Sequence, residues 1–327
     1  MGWKVHVAYV LNRAKALSYA LLRFFFSDGA FHIPSVLKVF KAKVIATIAY
    51  AVPLWGSFAN LTHLEVIQNQ LLRRLLKLPR CVSNTAIRLE LNVTSLETTL
   101  WKCILCYWLA LWHKLPNLHL IQCLWRDDFP SPWAKIIHGK LVSLGLSPSE
   151  LLKLDLISAK RIITHKLEEM DLQFNIATGG GTCSPINLGL TPPTKLPSYL
   201  TTLSVVTHRY AFIMARFNAF PSNVLGNRLS NGQISLLCDC KSGSIESLYH
   251  IIFCCPLHSA SRSKFLAPYL SRIADSPQEA QIIYLLNDED TSRSLAVARY
   301  LINVLFQKRR NGSLYVSDSL AKLKNHQ

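Results

Sequence analysis

Four side chains in one short stretch carry the clearest chemistry in this chain. Cys238-Asp239-Cys240 is followed after nine residues by His250, and after four more by Cys255-Pro256. Two thiolates one residue apart come from a single turn. A short helix over 246–253 supplies the imidazole, and Pro256 forces the chain out of that helix at Cys255. These are four soft ligands from two segments, the set that a tetrahedral structural Zn²⁺ takes, and a complete set leaves no open position for catalysis. Cys254 lies four residues after His250 on the same α-helical face and competes with Cys255 for the fourth place. His258 is a weaker substitute. Four of the nine cysteines fall within 18 residues around one histidine, a density that favours a metal over four unrelated buried side chains.

No catalytic residue is assigned. Nucleotidyl transfer needs carboxylates gathered around two metal ions. Asp127-Asp128 sits between Arg126 and Phe129-Pro130 without flanking strands and reads as a loop turn. Glu168-Glu169 falls in a predicted helix, and Asp288-Glu289-Asp290 reads as N-terminal charge of the last helix. Gly179-Gly180-Gly181 has no lysine at P-loop spacing, and neither a G-x-S-x-G nor an H-E-x-x-H motif occurs.

The chain that must position these ligands has 327 residues, enough for roughly two domains. Its 36 Lys and Arg against 19 Asp and Glu give a formal net charge of +17, while half of the residues are hydrophobic. A chain so rich in core-forming side chains is not a disordered tail, so the charge belongs on a folded surface that attracts polyanions. Residues 1–88 hold 12 basic and two acidic side chains, 89–175 nine of each, and 176–327 fifteen and eight. The odd number of cysteines and the absence of a secretory h-region in the opening residues point to a reducing compartment, nucleus or cytoplasm, and not to secretion. The longest uncharged run, 44–61, is broken by Pro53, Gly56 and Asn60. It makes a poor membrane span, and no membrane partner is expected.

Helical signals dominate the first 172 residues. Thr62-x-x-Glu65 is a capping box for a helix with Leu64, Ile67, Leu71 and Leu75 on one side and Gln68, Arg73, Arg74 and Lys77 on the other; Pro79 stops it and Arg80 lies just beyond. Thr94-x-x-Glu97 opens a second helix, Ser147-Pro148-Ser149-Glu150 a third, and 159–170 a fourth. Glycines and prolines over 173–200 predict a linker. After it, 200–220 reads as a helix in which His208, Arg209 and Arg216 alternate with Tyr210, Phe212 and Phe217, aromatics better suited to a core than to base stacking. A last helix over 291–307 runs into Lys308-Arg309-Arg310. The expected fold is mainly α: a helical domain at 1–172, a Pro/Gly-rich linker at 173–200, and a helical domain at 201–327 containing a small zinc knuckle at 238–255.

Several stretches in this order look like one family. Lys41-Ala-Lys-Val, Ala51-Val-Pro-Leu-Trp55-Gly56, Gln68-x4-Arg73-Arg74-x3-Leu78-Pro79 and Arg88-x-Glu90 resemble the region just downstream of the polymerase palm in reverse transcriptases of LINE-type, non-LTR retrotransposons. Ala215-Arg216-Phe217-Asn218, Cys238-x-Cys240, Glu246-x3-His250-x4-Cys255-Pro256 and Arg262 resemble the C-terminal zinc-knuckle region of the same proteins. The aromatic-x-Asp-Asp hairpin of these polymerases is missing, as is their endonuclease. The resemblance therefore implies a non-catalytic, thumb-like and connecting helical module plus a knuckle, with RNA or DNA as partner, a separate palm or subunit for catalysis, and no small-molecule substrate. Cys238, Cys240, His250 and Cys255 become zinc ligands by it. Lys38, Lys41, Lys43, Arg73, Arg74, Lys77, Arg80, Arg209 and Arg216 are the candidate phosphate contacts. The alternatives are a fragment of an active RNA-directed DNA polymerase whose start is placed late, and a membrane protein spanning at 44–61.

Overall fold

A computed structural model describes residues 3–27, 32–114 and 131–310. It is mainly α-helical, as the sequence predicts. The helices among the described residues are α1 (Lys4–Ser27), α2 (Ile33–Val39), α3 (Ala46–Ala49), α4 (Val52–Trp55), α5 (Thr62–Leu75), α6 (Asn84–Leu91), α7 (Leu96–Lys114) and α8 (Pro132–Ser143). They continue with α9 (Pro148–Lys153), α10 (Leu156–Gly179), α11 (Tyr199–Thr202), α12 (Val206–Arg216), α13 (Asn223–Leu229), α14 (Ser259–Leu270), α15 (Gln278–Leu286) and α16 (Thr291–Arg310). The Asp127-Asp128 pair lies outside the described residues.

The chain divides into two compact units that interleave in sequence. The first takes residues up to Leu21, Leu37–Leu71 and Val93–Asn175; the second takes Leu22–Val36, Leu72–Asn92 and the residues from Ile176 onward. The expected linker does not mark the change. Residues 173–179 continue α10, and within 180–200 Ser184, Tyr199 and Leu200 are fully buried. The prolines and glycines there shape a packed segment: a 3-10 turn, Ile186–Leu188, ends on Gly189 at φ +76°, a left-handed cap that glycine adopts without steric cost.

In the first unit, α5 buries Leu64, Ile67 and Leu71, and α7 buries Leu100, Ile104, Leu105 and Trp108. The two helices are capped locally by Asn60 and Ser95, and the glutamate of the first predicted capping box serves the neighbouring helix α7 instead of its own. Asn60 accepts from the backbone N–H of Thr62 at 3.0 Å, Ser95 accepts from Thr98 at 3.1 Å, and Glu65 reaches the N–H of Glu97 at 2.7 Å. A carboxylate on the free N–H groups of a neighbouring helix serves the same donors as a local cap. The stretch 44–61 folds as short pieces around the buried Trp55, because Ala51 turns the chain at φ +52°. No helix among the described residues is long and apolar enough to cross a membrane.

The second unit is built on α12, whose residues 209–216 are all buried, packed against α16. The expected single helix over 200–220 is broken at 203–205 into α11 and α12. Arg216 Nε donates to Glu90 Oε1 at 2.7 Å and Nη2 to Glu90 Oε2 at 3.1 Å, with the two side chains only 4% and 1% exposed. Tyr199 Oη donates to the same carboxylate at 2.6 Å, and Arg216 Nη1 also donates to the carbonyl of Leu286. Burial and the neighbouring Glu90 push the Tyr199 hydroxyl well above the usual tyrosine range. Asp288 accepts from Ser198 Oγ at 2.9 Å and from the Tyr199 N–H at 2.8 Å, whereas Asp290 caps α16 by accepting from Ser292 N at 2.8 Å. The predicted acidic N-terminus of the last helix is thus divided between two tasks.

Removing one partner of a buried, bidentate pair leaves an unanswered charge. Arg216→Met is expected to lower stability by about 3–5 kcal/mol in urea unfolding. A loss below about 1 kcal/mol, the range of an exposed pair, would contradict this role.

Candidate metal centre

The cysteine turn is closed by a single antiparallel bridge and the hydrogen bonds that flank it. Leu237 and Ile245 form an antiparallel bridge, Cys238 N donates to Ser244 O at 2.9 Å, and Glu246 N donates to Leu236 O at 2.9 Å. Lys241 and Gly243 have φ of +60° and +72°, so the chain reverses tightly and brings Cys238 and Cys240 to one side. Asn223, on the first turn of α13, donates from Nδ2 to Leu237 O at 2.6 Å and anchors the turn from outside.

The second ligand segment is helical but wound more widely than an α-helix. His250–Cys254 is a π turn in which Cys255 N donates to His250 O at 2.7 Å, an i→i+5 bond. Such turns hold one residue more than an α turn and recur at functional sites. The extra residue settles the competition between the two adjacent cysteines. An α turn would align Cys254 with His250; the π turn aligns Cys255 instead. Cys255 is fully buried against the cluster and Cys254 is exposed. Arg262 fixes this winding by donating to Ile252 O and Cys255 O, each at 2.7 Å, and Tyr300 donates to Ile251 O.

Cys238, Cys240, His250 and Cys255 therefore converge, with their ligand atoms all within 4.8 Å of one another. Cys238 Sγ lies 3.7 Å from Cys255 Sγ, and Cys240 Sγ lies 3.4 Å from His250 Nε2. Tetrahedral bonds of about 2.3 Å to sulfur and about 2.0–2.1 Å to nitrogen separate two sulfurs by about 3.8 Å and a sulfur from a nitrogen by about 3.6 Å. The cluster has the spacing and donor set to hold a metal ion.

Burial sets the protonation of these thiols. It pushes those of Cys238 and Cys255 up, while the hydrogen bond from Ser242 at 3.0 Å is the main cause that lowers Cys240 to about 6. Of the three, Cys240 is the thiol that loses its proton most readily. Cys240 is depressed, so the stability it adds is present above the ordinary thiol pKa and lost as pH falls through about 6.

The basic candidates separate by burial. Lys38 on α2 and Lys41 and Lys43 on the π segment Phe40–Ile45 are exposed, the latter two flanking the buried Phe40 and Val44. Arg74 and Arg80 are exposed and Lys77 is half-buried. Three arginines must be withdrawn as phosphate contacts. Arg73 is taken up by Pro79 O, Val82 O and Asn84 Oδ1 at 2.5–2.7 Å. Arg209 is buried and donates to Leu200 O at 3.1 Å, and Arg216 is buried in its pair with Glu90. Tyr210, Phe212 and Phe217 are core residues. Sequence reasoning gave no role to Lys308, which is 5% exposed and ion-paired to Glu246. Its spacing from Val297, Leu301 and Val304 placed it on the apolar stripe of α16, a signal that the adjacent arginines obscured.

Neither protein-family models, nor curated proteins, nor solved structures yield a match to this chain.

Two outcomes test the cluster. Cys255→Ser should abolish stoichiometric metal binding while Cys254→Ser leaves it unchanged, read by metal content after gel filtration. Because Cys238 and Cys255 must lose protons to bind, metal affinity should fall steeply between about pH 8 and about pH 6 in a chelator competition.

Proposed function

We propose that this chain is a non-catalytic nucleic-acid-binding module braced by one structural Zn²⁺, equivalent to the thumb-like, connecting and knuckle region of a LINE-type reverse transcriptase. The observation that carries the reading is the four-ligand cluster in a chain of net charge +17. Three thiolates and one imidazole at tetrahedral spacing match the borderline-soft preference of Zn²⁺, whereas hard cations prefer oxygen and Fe–S clusters use four thiolates. When bound, the ion supplies cross-linking of the 238–244 turn to the π turn, and its stability becomes part of the folding free energy.

The exposed lysines and arginines support the partner. Lys38, Lys41 and Lys43 stand on one short helical stretch with their apolar neighbours turned inward, which leaves their charges free to meet phosphates. Arg74 and Arg80 add exposed positive charge in the region where the resemblance places duplex contacts. Contacts of this kind position a backbone without reading sequence. Binding is accordingly electrostatic and sequence-tolerant, driven by release of condensed counterions.

Phosphate contacts by Lys38, Lys41 and Lys43 predict a slope of log K against log salt of about −3 on duplex, and Lys41→Ala with Lys43→Ala should make it shallower by about 2. The full chain should hold one zinc, lost in Cys238→Ser and His250→Ala. Affinity for RNA and DNA that stays flat from low to high salt would overturn the nucleic-acid reading. A purified chain without zinc would overturn the metal reading.

A further inference from the structure

Of the three basic residues that end α16, Arg309 and Arg310 are exposed, but Lys308 turns inward. Its Nζ donates to Glu246 Oε2 at 2.5 Å and to Pro221 O at 3.2 Å. Glu246 is 2% exposed and has further partners. Its Oε2 also accepts from the Asn223 N–H at 2.8 Å, and its Oε1 accepts from Cys238 Sγ at 3.6 Å. One carboxylate therefore touches a metal ligand, the first turn of α13 and the last turn of α16.

We infer that Glu246 and Lys308 are positioning residues of the metal centre, and that through them metal loading and the seating of α16 are linked. The inference rests on the zinc reading. A divalent ion with three thiolates and an imidazole carries a net charge of −1. Glu246 places a second negative charge beside Cys238 Sγ, in surroundings where both side chains are almost completely withdrawn from water. Two such charges are tolerated together only where a cation answers them. Lys308 supplies it, and Glu246 and the Pro221 carbonyl offset its own burial. The other ligand segment is held by the same helix, since Tyr300 of α16 donates to Ile251 O inside the π turn. Helix α16 thus touches both halves of the centre: the cysteine turn through Lys308 and Glu246, and the π turn through Tyr300. Outer-sphere partners of this kind typically set metal affinity within a factor of 10–100.

The test uses the full chain with Zn²⁺, and Co²⁺ as a spectroscopic probe. Lys308→Met should weaken zinc about 10- to 100-fold in chelator competition and shift the thiolate-to-cobalt charge-transfer bands, Glu246→Gln should weaken it less because it removes the charge that Lys308 answers, and Lys308→Arg should retain most of the affinity. Lys308→Met binding zinc within about twofold of the unaltered chain overturns the inference. If that variant does not fold, hydrogen exchange on the unaltered chain decides: removing zinc should lower protection of amides 300–308 and leave α7 unchanged, and equal protection there overturns it. An unaltered chain that binds no zinc overturns the metal reading itself. An unaltered chain that binds zinc but is indifferent to Lys308 overturns the linkage alone.

Discussion

A charge withdrawn from water must be answered by another, and the second compact unit is organised around that requirement. Glu90 comes from α6, Tyr199 from α11, Arg216 from the end of α12 and the Leu286 carbonyl from the end of α15, and all four meet in one network. Each segment brings apolar side chains with it, so the geometry demanded by the carboxylate also fixes where Leu89, Phe212 and Leu285 are buried. Apolar packing alone tolerates sliding; a bidentate guanidinium–carboxylate pair does not. A shallow, open pocket beside Glu90 is lined by Ser184, Pro185 and Pro193, so the proline-rich segment runs along this pair.

The cysteine–histidine cluster repeats the same logic with different groups. Two ligands sit on a turn held by a single bridge, and two sit on a helical turn whose register is one residue too wide. Neither segment is regular secondary structure that would stand by itself. The donors that hold them, Arg262, Tyr300 and Asn223, spend side-chain hydrogen bonds on backbone carbonyls that the irregular winding leaves free. Backbone of this kind is retained where it aims side chains.

The helical class and the ligand set were legible because both rest on local pattern: apolar positions three and four apart, and soft ligands crowded around one histidine. The choice between Cys254 and Cys255 was not legible, because α periodicity was assumed where a π turn exists. The roles of Arg73, Arg209 and Arg216 were hidden for a related reason. A basic residue on a helix looks the same in sequence whether it meets water or a buried carboxylate more than a hundred residues away, and Glu90 itself offers no local sign of its partner. Glu65 shows the limit in miniature, since its capping-box spacing was correct while the N–H it serves belongs to the next helix but one. The expected linker failed on composition: prolines and glycines exclude helix but do not exclude packing, as the buried Ser184 and Leu190 show.

The interleaving of the two units has a consequence in time. Glu90 and Arg216 are 126 residues apart. At synthesis rates of about 5–20 residues per second, roughly 6–25 s pass between the appearance of the carboxylate and that of the guanidinium. Throughout that interval the Glu90 carboxylate of α6 has no guanidinium to answer it, and neither unit can close as a contiguous stretch leaving the ribosome. The second unit therefore closes only after its later segments have been made.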